Sequence, residues 1–164
     1  MREIEGALVS VDTTQAAVAE AAVDKGAVIL NDVSAGRDDP RMIKLAVRSQ
    51  TPIVLMHMQG TPATMQAKPR YDAVVEQVRS FLLERARWAR TAGVAREQII
   101  VDPGIGFGKT YEHNLRLLSN LNRFVGDGYP VLLGTSRKGF IGMINKDGTG
   151  RAVPTEQRTG GTCA

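Results

Sequence analysis

The 164-residue chain holds one cysteine, Cys163, and two histidines, His57 and His113. A single cysteine excludes an internal disulfide framework and any multi-cysteine metal site. Placed next to the last residue, it reads as a small apolar side chain. No Glu, Asp or His group has the spacing of a firm metal site, and each histidine is read as making structural hydrogen bonds. Aromatic residues are scarce as well: four Phe, three Tyr and one Trp leave little material for stacking nucleic-acid bases. No apolar run approaches the roughly 20 residues needed to span a bilayer. The opening Met1–Gly6 lacks the apolar core of a secretory signal. A cytoplasmic protein that binds neither membrane nor nucleic acid is expected.

What is present is ordinary in proportion. With 43% apolar and 23% charged residues the chain has the composition of a soluble globular protein. The net charge of +4 could suit an anionic ligand, but the basic residues are scattered. The densest group, Arg85, Arg87 and Arg90 beside Glu84, falls in a helical stretch and reads as a solvated helix face. The length suits one domain over residues 1–164, short of the roughly 250 residues of a complete eight-fold barrel.

Strand and helix signals alternate along the chain. Ala7–Val11 is a short apolar, β-branched run, and Thr14 can cap a helix through Asp24 that Gly26 stops. Ala27–Leu30 is the next strand. Asp39 and Pro40 open a second helix, carried on by Met42, Ile43, Leu45, Ala46 and Val47. Pro52–Met56 is a third strand, followed by a Gly/Pro-punctuated loop through Arg70. The longest helix is expected from Asp72 to Thr91, with Val74, Val78, Phe81, Leu82, Ala86 and Ala89 on one face and Gly93 at its end. Gln98–Val101 is a fourth strand, His113–Phe124 a fourth helix, Pro130–Leu133 a fifth strand. A short helix over Lys138–Ile144 and another opening near Pro154 complete the pattern. Strands that are solidly apolar belong to a parallel sheet covered on both faces. The fold class is α/β, either an open doubly wound sheet or part of a (β/α)8 barrel.

Polar residues fall at the carboxyl ends of these strands: Asp12, Asn31 with Asp32, Met56 with His57, Asp102, and Ser136-Arg137-Lys138. Ligands bind at that edge in both architectures. One aspartate there could be a turn former; five strand ends in register point to a ligand site. Two carboxylates and an amide suit a planar heterocycle rich in N–H groups, and Lys138 supplies movable donors for an acceptor edge. The most distinctive segment is Asp102-Pro-Gly-Ile-Gly-Phe-Gly-Lys109, whose glycines allow sharp turns and close approach to a ligand. It has neither the G-x-G-x-x-G spacing of a dinucleotide fingerprint nor the first glycine of a Walker A loop.

Five segments in order, Val9-Ser-Val-Asp-Thr13, Ile29-Leu-Asn-Asp-Val33, Val54-Leu-Met-His-Met-Gln-Gly60, Val101–Lys109 and Gly134-Thr-Ser-Arg-Lys138, resemble dihydropteroate synthases. The resemblance extends to Lys68-Pro-Arg-Tyr-Asp72 and Glu112-His-Asn114, so it covers nearly the whole chain. It implies a partial (β/α)8 TIM barrel in which these are about strands 3 to 7. By resemblance Asp12, Asn31, Met56, Asp102, Gly106 and Lys138 form the pterin-binding pocket, with Lys138 and Asp102 as the catalytic pair. Phe107 and Gly139 lie on the p-aminobenzoate and sulfonamide side. Family members often carry Ser or Arg where Gly139 stands, which leaves a backbone N–H as the contact expected here.

The implied reaction of folate biosynthesis condenses 6-hydroxymethyl-7,8-dihydropterin pyrophosphate with p-aminobenzoate, giving 7,8-dihydropteroate and pyrophosphate. The aniline nitrogen attacks the pterin methylene as pyrophosphate leaves, and a carboxylate-lined pocket suits the cation of a leaving-group-first path. Family loops reading like N-x-T-P-D-S-F-S-D-G and E-S-T-R-P-G, and a closing strand with R-V-H-D-V, do not occur in the chain. By resemblance those segments hold the pyrophosphate and Mg2+. The chain is therefore expected to lack both ends of the barrel, to have no metal ligand of its own and to turn over no substrate alone. The complete protein is expected to be a homodimer. A non-catalytic pterin-binding module and a pterin-dependent methyltransferase domain are the alternatives.

Overall fold

The computed structural model describes residues 6–146 and 148–163, and strand and helix alternate through them. The strands are β1 (Ser10–Asp12), β2 (Ile29–Asp32), β3 (Ile53–Met56) and β4 (Ile99–Asp102). The helices are α1 (Ala16–Val23), α2 (Arg41–Ser49), α3 (Val74–Thr91), α4 (Tyr111–Ser119), α5 (Leu121–Val125), α6 (Gly139–Ile144) and α7 (Thr159–Cys163). All four strands are parallel, and they pair in the order β1-β2-β3-β4. The solidly apolar β3, buried at every position, forecasts this arrangement.

Leu30, Ile53, Leu55, Ile99 and Val101 project from one face of the sheet into the core. Met42, Ile43, Leu45 and Ala46 of α2 and Val74, Val78, Leu82, Ala86 and Ala89 of α3 meet them there. The spacing of four between positions 74, 78, 82 and 86 keeps these residues on a single stripe. Each large side chain so buried contributes about 1.5–3 kcal/mol.

Three expectations from the sequence need correction. The fifth strand is a single parallel bridge, Val101 to Val131, rather than a run over 130–133. Val101 N–H donates to Pro130 O at 2.9 Å and Leu132 N–H to Val101 O at 2.9 Å, after which Leu132 and Leu133 are exposed. With a neighbour on one side only among the described residues, the segment has little to extend its pairing. Thr14 does not cap α1. Thr13 Oγ1 accepts from Gln15 N–H at 3.1 Å, and Asp39 Oδ2, from the loop before α2, accepts from Ala16 N–H at 3.0 Å. The helix expected over 113–124 is broken at Asn120, whose side chain donates to Arg116 O at 2.9 Å and draws the backbone out of register.

Asp32 is fully buried on the helix-packed side of β2. Its Oδ1 accepts from Ser34 N–H at 2.8 Å and Ser34 Oγ at 2.7 Å, and its Oδ2 from Gly36 N–H at 2.6 Å. Burial raises its carboxyl above the usual range, against the pull of those hydrogen bonds. The tight turn it closes lets Gly36 approach Trp88 so nearly that a Cβ there would sit 2.7 Å from the indole. Asp32→Ala would orphan three donors and is expected to cost about 3 kcal/mol in urea unfolding, more than Asp32→Asn, which keeps an acceptor.

Candidate active site

In a parallel sheet, residues in register share a face and alternate residues along a strand share it too. Asp12 is in register with Asn31, Asn31 with Val54, and Met56 with Asp102. Asp12, Asn31, Met56 and Asp102 therefore occupy one face, opposite the helix-packed core, all at the carboxyl edge. Asp32, next to Asn31 in sequence, lies on the other face and is committed to its own turn. Asp12 is exposed, Asn31 half-buried, and Met56 and Asp102 are buried.

The loop after β4 is shaped by its contacts with β3. Asp102 Oδ1 accepts from Gly104 N–H at 2.7 Å. Gly104 has φ +68°, and a Cβ on it would stand 2.0 Å from His57 O. Gly106 has φ +84° and lies under the Lys138 side chain, whose Cδ is 3.2 Å from where a Cβ would be. Asn114 Oδ1 accepts from Gly106 N–H at 2.8 Å and Gln66 Nε2 donates to Gly106 O at 2.8 Å, so the peptides on both sides of Gly106 are held. Phe107 presents its ring to the Lys138 ammonium, 4.1 Å from the ring centroid. Lys138 itself is the residue before α6, in extended backbone.

A cleft of about 450 Å³ opens beside these groups, with Gly106, Lys138, Gly139, Asn114 and Gln66 among its walls. Asp12, Asn31, Met56 and Asp102 approach from the sheet face instead, and Asp102 feels the charge of Lys138. Gly139 is exposed with nothing within 4 Å of its Cβ direction. An open groove at the far end of α3, walled by Arg87, Arg90 and Arg96, contains none of these residues. Cations near a helix C-terminus are favoured by the helix dipole.

Burial raises the Asp102 carboxyl above its ordinary value, while Gly104 N–H, Lys109 and Lys138 oppose the shift. Loss of hydration pushes the Lys138 ammonium down, partly offset by Asp102. Two further buried groups lie at the site: Lys109, which also lines the cleft, and His57, with Lys109 Nζ 3.0 Å from His57 Nδ1. Burial pushes His57 down to about 3, and the cations Lys109 and Arg37 act in the same direction. Tyr71, whose hydroxyl donates to Gly108 O at 2.9 Å, is pushed up to about 12 by burial. His113 forms a reciprocal cap with Thr110 at the start of α4, each backbone N–H donating to the other's side chain at 3.2 Å.

The position of His57 has a consequence for stability. Its folded-state value of about 3 lies below the ordinary 6.5, so in between the unfolded chain binds a proton that the folded chain refuses. Stability should therefore fall as pH drops from 6.5 towards 3, by up to about 1.4 kcal/mol per pH unit. Urea midpoints measured across that range should fall less steeply in His57→Gln. Equal slopes in the two proteins would show that His57 is not the group responsible.

A parallel β/α sheet with carboxylates, an amide and a lysine at its carboxyl edge defines an α/β protein of the kind in which ligands bind at that edge. The chain belongs to the pterin binding enzyme family, whose description matches residues 1–164. It is 42% identical over 156 residues to the dihydropteroate synthase of Haemophilus influenzae, covering 95% of this chain and 54% of that protein. It is 43% identical to the dihydropteroate synthase of Mycobacterium leprae, covering 94% and 55%. Among solved structures, dihydropteroate synthase from Thermus thermophilus in complex with 6HMPPP superposes with a TM-score of 0.86 at 47% identity, covering 96% of this chain and 60% of that one. The Yersinia pestis enzyme with a sulfonamide drug complex gives 0.87 at 34% identity, covering 98% and 55%. The chain thus spans about half the length of the curated relatives it matches. Its parallel sheet is that of a partial (β/α)8 barrel, which resolves the choice between barrel and open sheet.

Proposed function

We propose that this chain carries the pterin-recognition half of a dihydropteroate synthase, the enzyme that condenses 6-hydroxymethyl-7,8-dihydropterin pyrophosphate with p-aminobenzoate. The observation that carries the reading is the shared face and edge of Asp12, Asn31, Met56 and Asp102, with Lys138 poised over Phe107. Related proteins have been solved with 6HMPPP and with 4-aminobenzoate.

In this reading the Asp12 and Asp102 carboxylates accept hydrogen bonds from the pterin ring N–H and exocyclic amine, and Asn31 offers both an acceptor and donors. Lys138 donates to the pterin's acceptor edge. Met56 forms an apolar wall, and Gly106 lets the backbone and the Lys138 stem close on the ring. Phe107, beside the cleft that Gly139 lines, faces the p-aminobenzoate or sulfonamide ring. As C–O cleavage releases pyrophosphate and leaves positive charge on the pterin methylene, the buried Asp102 stabilises that charge. The aniline nitrogen then forms the C–N bond and loses a proton. Among the described residues no three His, Cys, Asp or Glu side chains could hold a metal ion. The roles given to these side chains do not depend on a bound Mg2+. A cytoplasmic enzyme, homodimeric when whole, belongs to the same reading. Its support is the resemblance to dihydropteroate synthases.

Calorimetric titration of the chain with the pterin pyrophosphate tests the reading. Saturable binding is expected, and a chain that folds yet binds no pterin would sink it. Affinity should fall on both sides of an optimum. On the acid side Asp102 must stay ionised, and its raised value brings that loss to higher pH than an ordinary carboxylate would. On the basic side the lowered Lys138 brings loss of the ammonium below the usual lysine range.

A further inference from the structure

Lys109 closes the glycine loop and is only 4% exposed, yet among the described residues no carboxylate pairs with it directly. Its Nζ lies 3.0 Å from His57 Nδ1, 3.2 Å from His57 O and 2.9 Å from Phe107 O. Three acceptors use all three N–H groups of an ammonium, whereas a neutral amine has two. The side chain is thus a cross-brace. One end holds the residue just past β3, and the other holds the carbonyl of Phe107. His57 is kept neutral by burial, so its Nδ1 can accept. The edge of Phe81, 4.9 Å away, and the Tyr71 ring, 6.0 Å away, flank its imidazole.

A buried ammonium with carbonyls for neighbours keeps its charge uncancelled, and in a medium of low dielectric that charge reaches further. Asp102, at the end of β4, is the carboxylate it acts on, and each favours the charged form of the other. Lys138, preceding α6, acts on Asp102 in the same sense and opposes the charge on Lys109. Arg37, from the loop after β2, opposes a charge on His57. Tyr71 stays neutral, and His113 on α4 is lowered by burial first, with Lys109 a minor contributor. Loss of hydration brings Lys109 itself down to about 7.

We propose that Lys109 is a positioning residue, its buried ammonium bracing the Phe107 turn against His57 and supplying a positive charge that acts on Asp102. The inference rests on the pterin reading for its meaning, but its test does not. Carboxyl 13C titration of the ligand-free chain, read at Asp102, compares the native protein with Lys109→Met and Lys109→Arg, and pterin calorimetry runs alongside. The Asp102 midpoint should rise in Lys109→Met and stay near its native position in Lys109→Arg. Pterin affinity of Lys109→Met should fall about tenfold more near about pH 5.5 than near about pH 8, because the native lysine is charged mainly at the lower pH.

A lysine that merely filled space would leave the Asp102 titration unmoved, and that result overturns the proposal. Where Lys109→Met does not fold, Lys109→Gln, which keeps an N–H for the Phe107 carbonyl, takes its place. The native ammonium can also be followed directly by 15N. A freely exchanging Nζ that titrates as an ordinary lysine would overturn the placement without any variant. If Asp102 responds as expected and pterin binds at no pH, the pterin reading fails and the brace stands.

Discussion

Asp102→Asn should lower pterin affinity by about 30- to 1,000-fold and leave the chain folded. Asp102 ends β4 and is buried, with one oxygen accepting from Gly104 N–H. An asparagine can keep that bond through its own Oδ1. Its amide then turns N–H groups towards a ligand edge that also offers N–H groups, and donor faces donor. Losing a charge-assisted hydrogen bond and leaving a buried donor unmatched costs about 2–4 kcal/mol, which is about 30- to 1,000-fold in affinity. Lys109 and Lys138 also lose the carboxylate that favours their charged forms. Calorimetry reads the affinity and a urea transition reads the fold. Unaltered binding by a folded variant would remove Asp102 from the site.

The largest effect on stability is expected from Gly104→Ala. Two penalties coincide at this residue. Its φ of +68° is a conformation that L side chains adopt reluctantly, and the added methyl would lie 2.0 Å from the His57 carbonyl oxygen. That oxygen belongs to backbone tied to β4, since His57 N–H donates to Asp102 O at 3.0 Å. The clash cannot be relieved by rotating a side chain. A loss of about 3 kcal/mol or more is expected in urea unfolding. Gly139→Ala is the control, for nothing lies within 4 Å of its Cβ direction and its φ is ordinary. Matching midpoints for the two variants would mean that the loop does not sit against β3 as described.

Much of the candidate site can be read from the sequence because strand ends are local features. A β-branched run that stops at an aspartate or an asparagine marks its own carboxyl edge, and Asp12, Asn31, Met56 and Asp102 all fall on one face of the sheet at that edge. Asp32 shows where that reasoning stops. Period-two alternation decides which of two adjacent polar residues faces the ligand, and a boundary error of one residue reverses the answer. Lys109 could not be found this way, because its partner His57 is 52 residues distant and nothing local marks a lysine as buried. The fifth strand was expected from composition alone. Pairing needs neighbours, and Pro130–Leu133 touches the sheet at one bridge. Asn120 illustrates a competing preference: leucines at 115, 117, 118 and 121 continue a helical pattern through it, but its own amide bonds to Arg116 O and interrupts the backbone.

The strands lie side by side in the order in which they occur along the chain, and each pairs first with the strand made just before it. A growing polypeptide can therefore add β2 to β1, β3 to β2 and β4 to β3 as each leaves the ribosome, without waiting for a distant partner. Loop-closure entropy is met in short instalments at each step, which favours rapid, vectorial assembly. The ligand groups mature in the same sequence. Asp12 and Asn31 are set side by side first, and Asp102 joins them only when β4 docks beside Met56. A ribosome-bound chain that ends just after β3 would present half of the proposed pterin contacts, and one that ends after Lys138 would present them all.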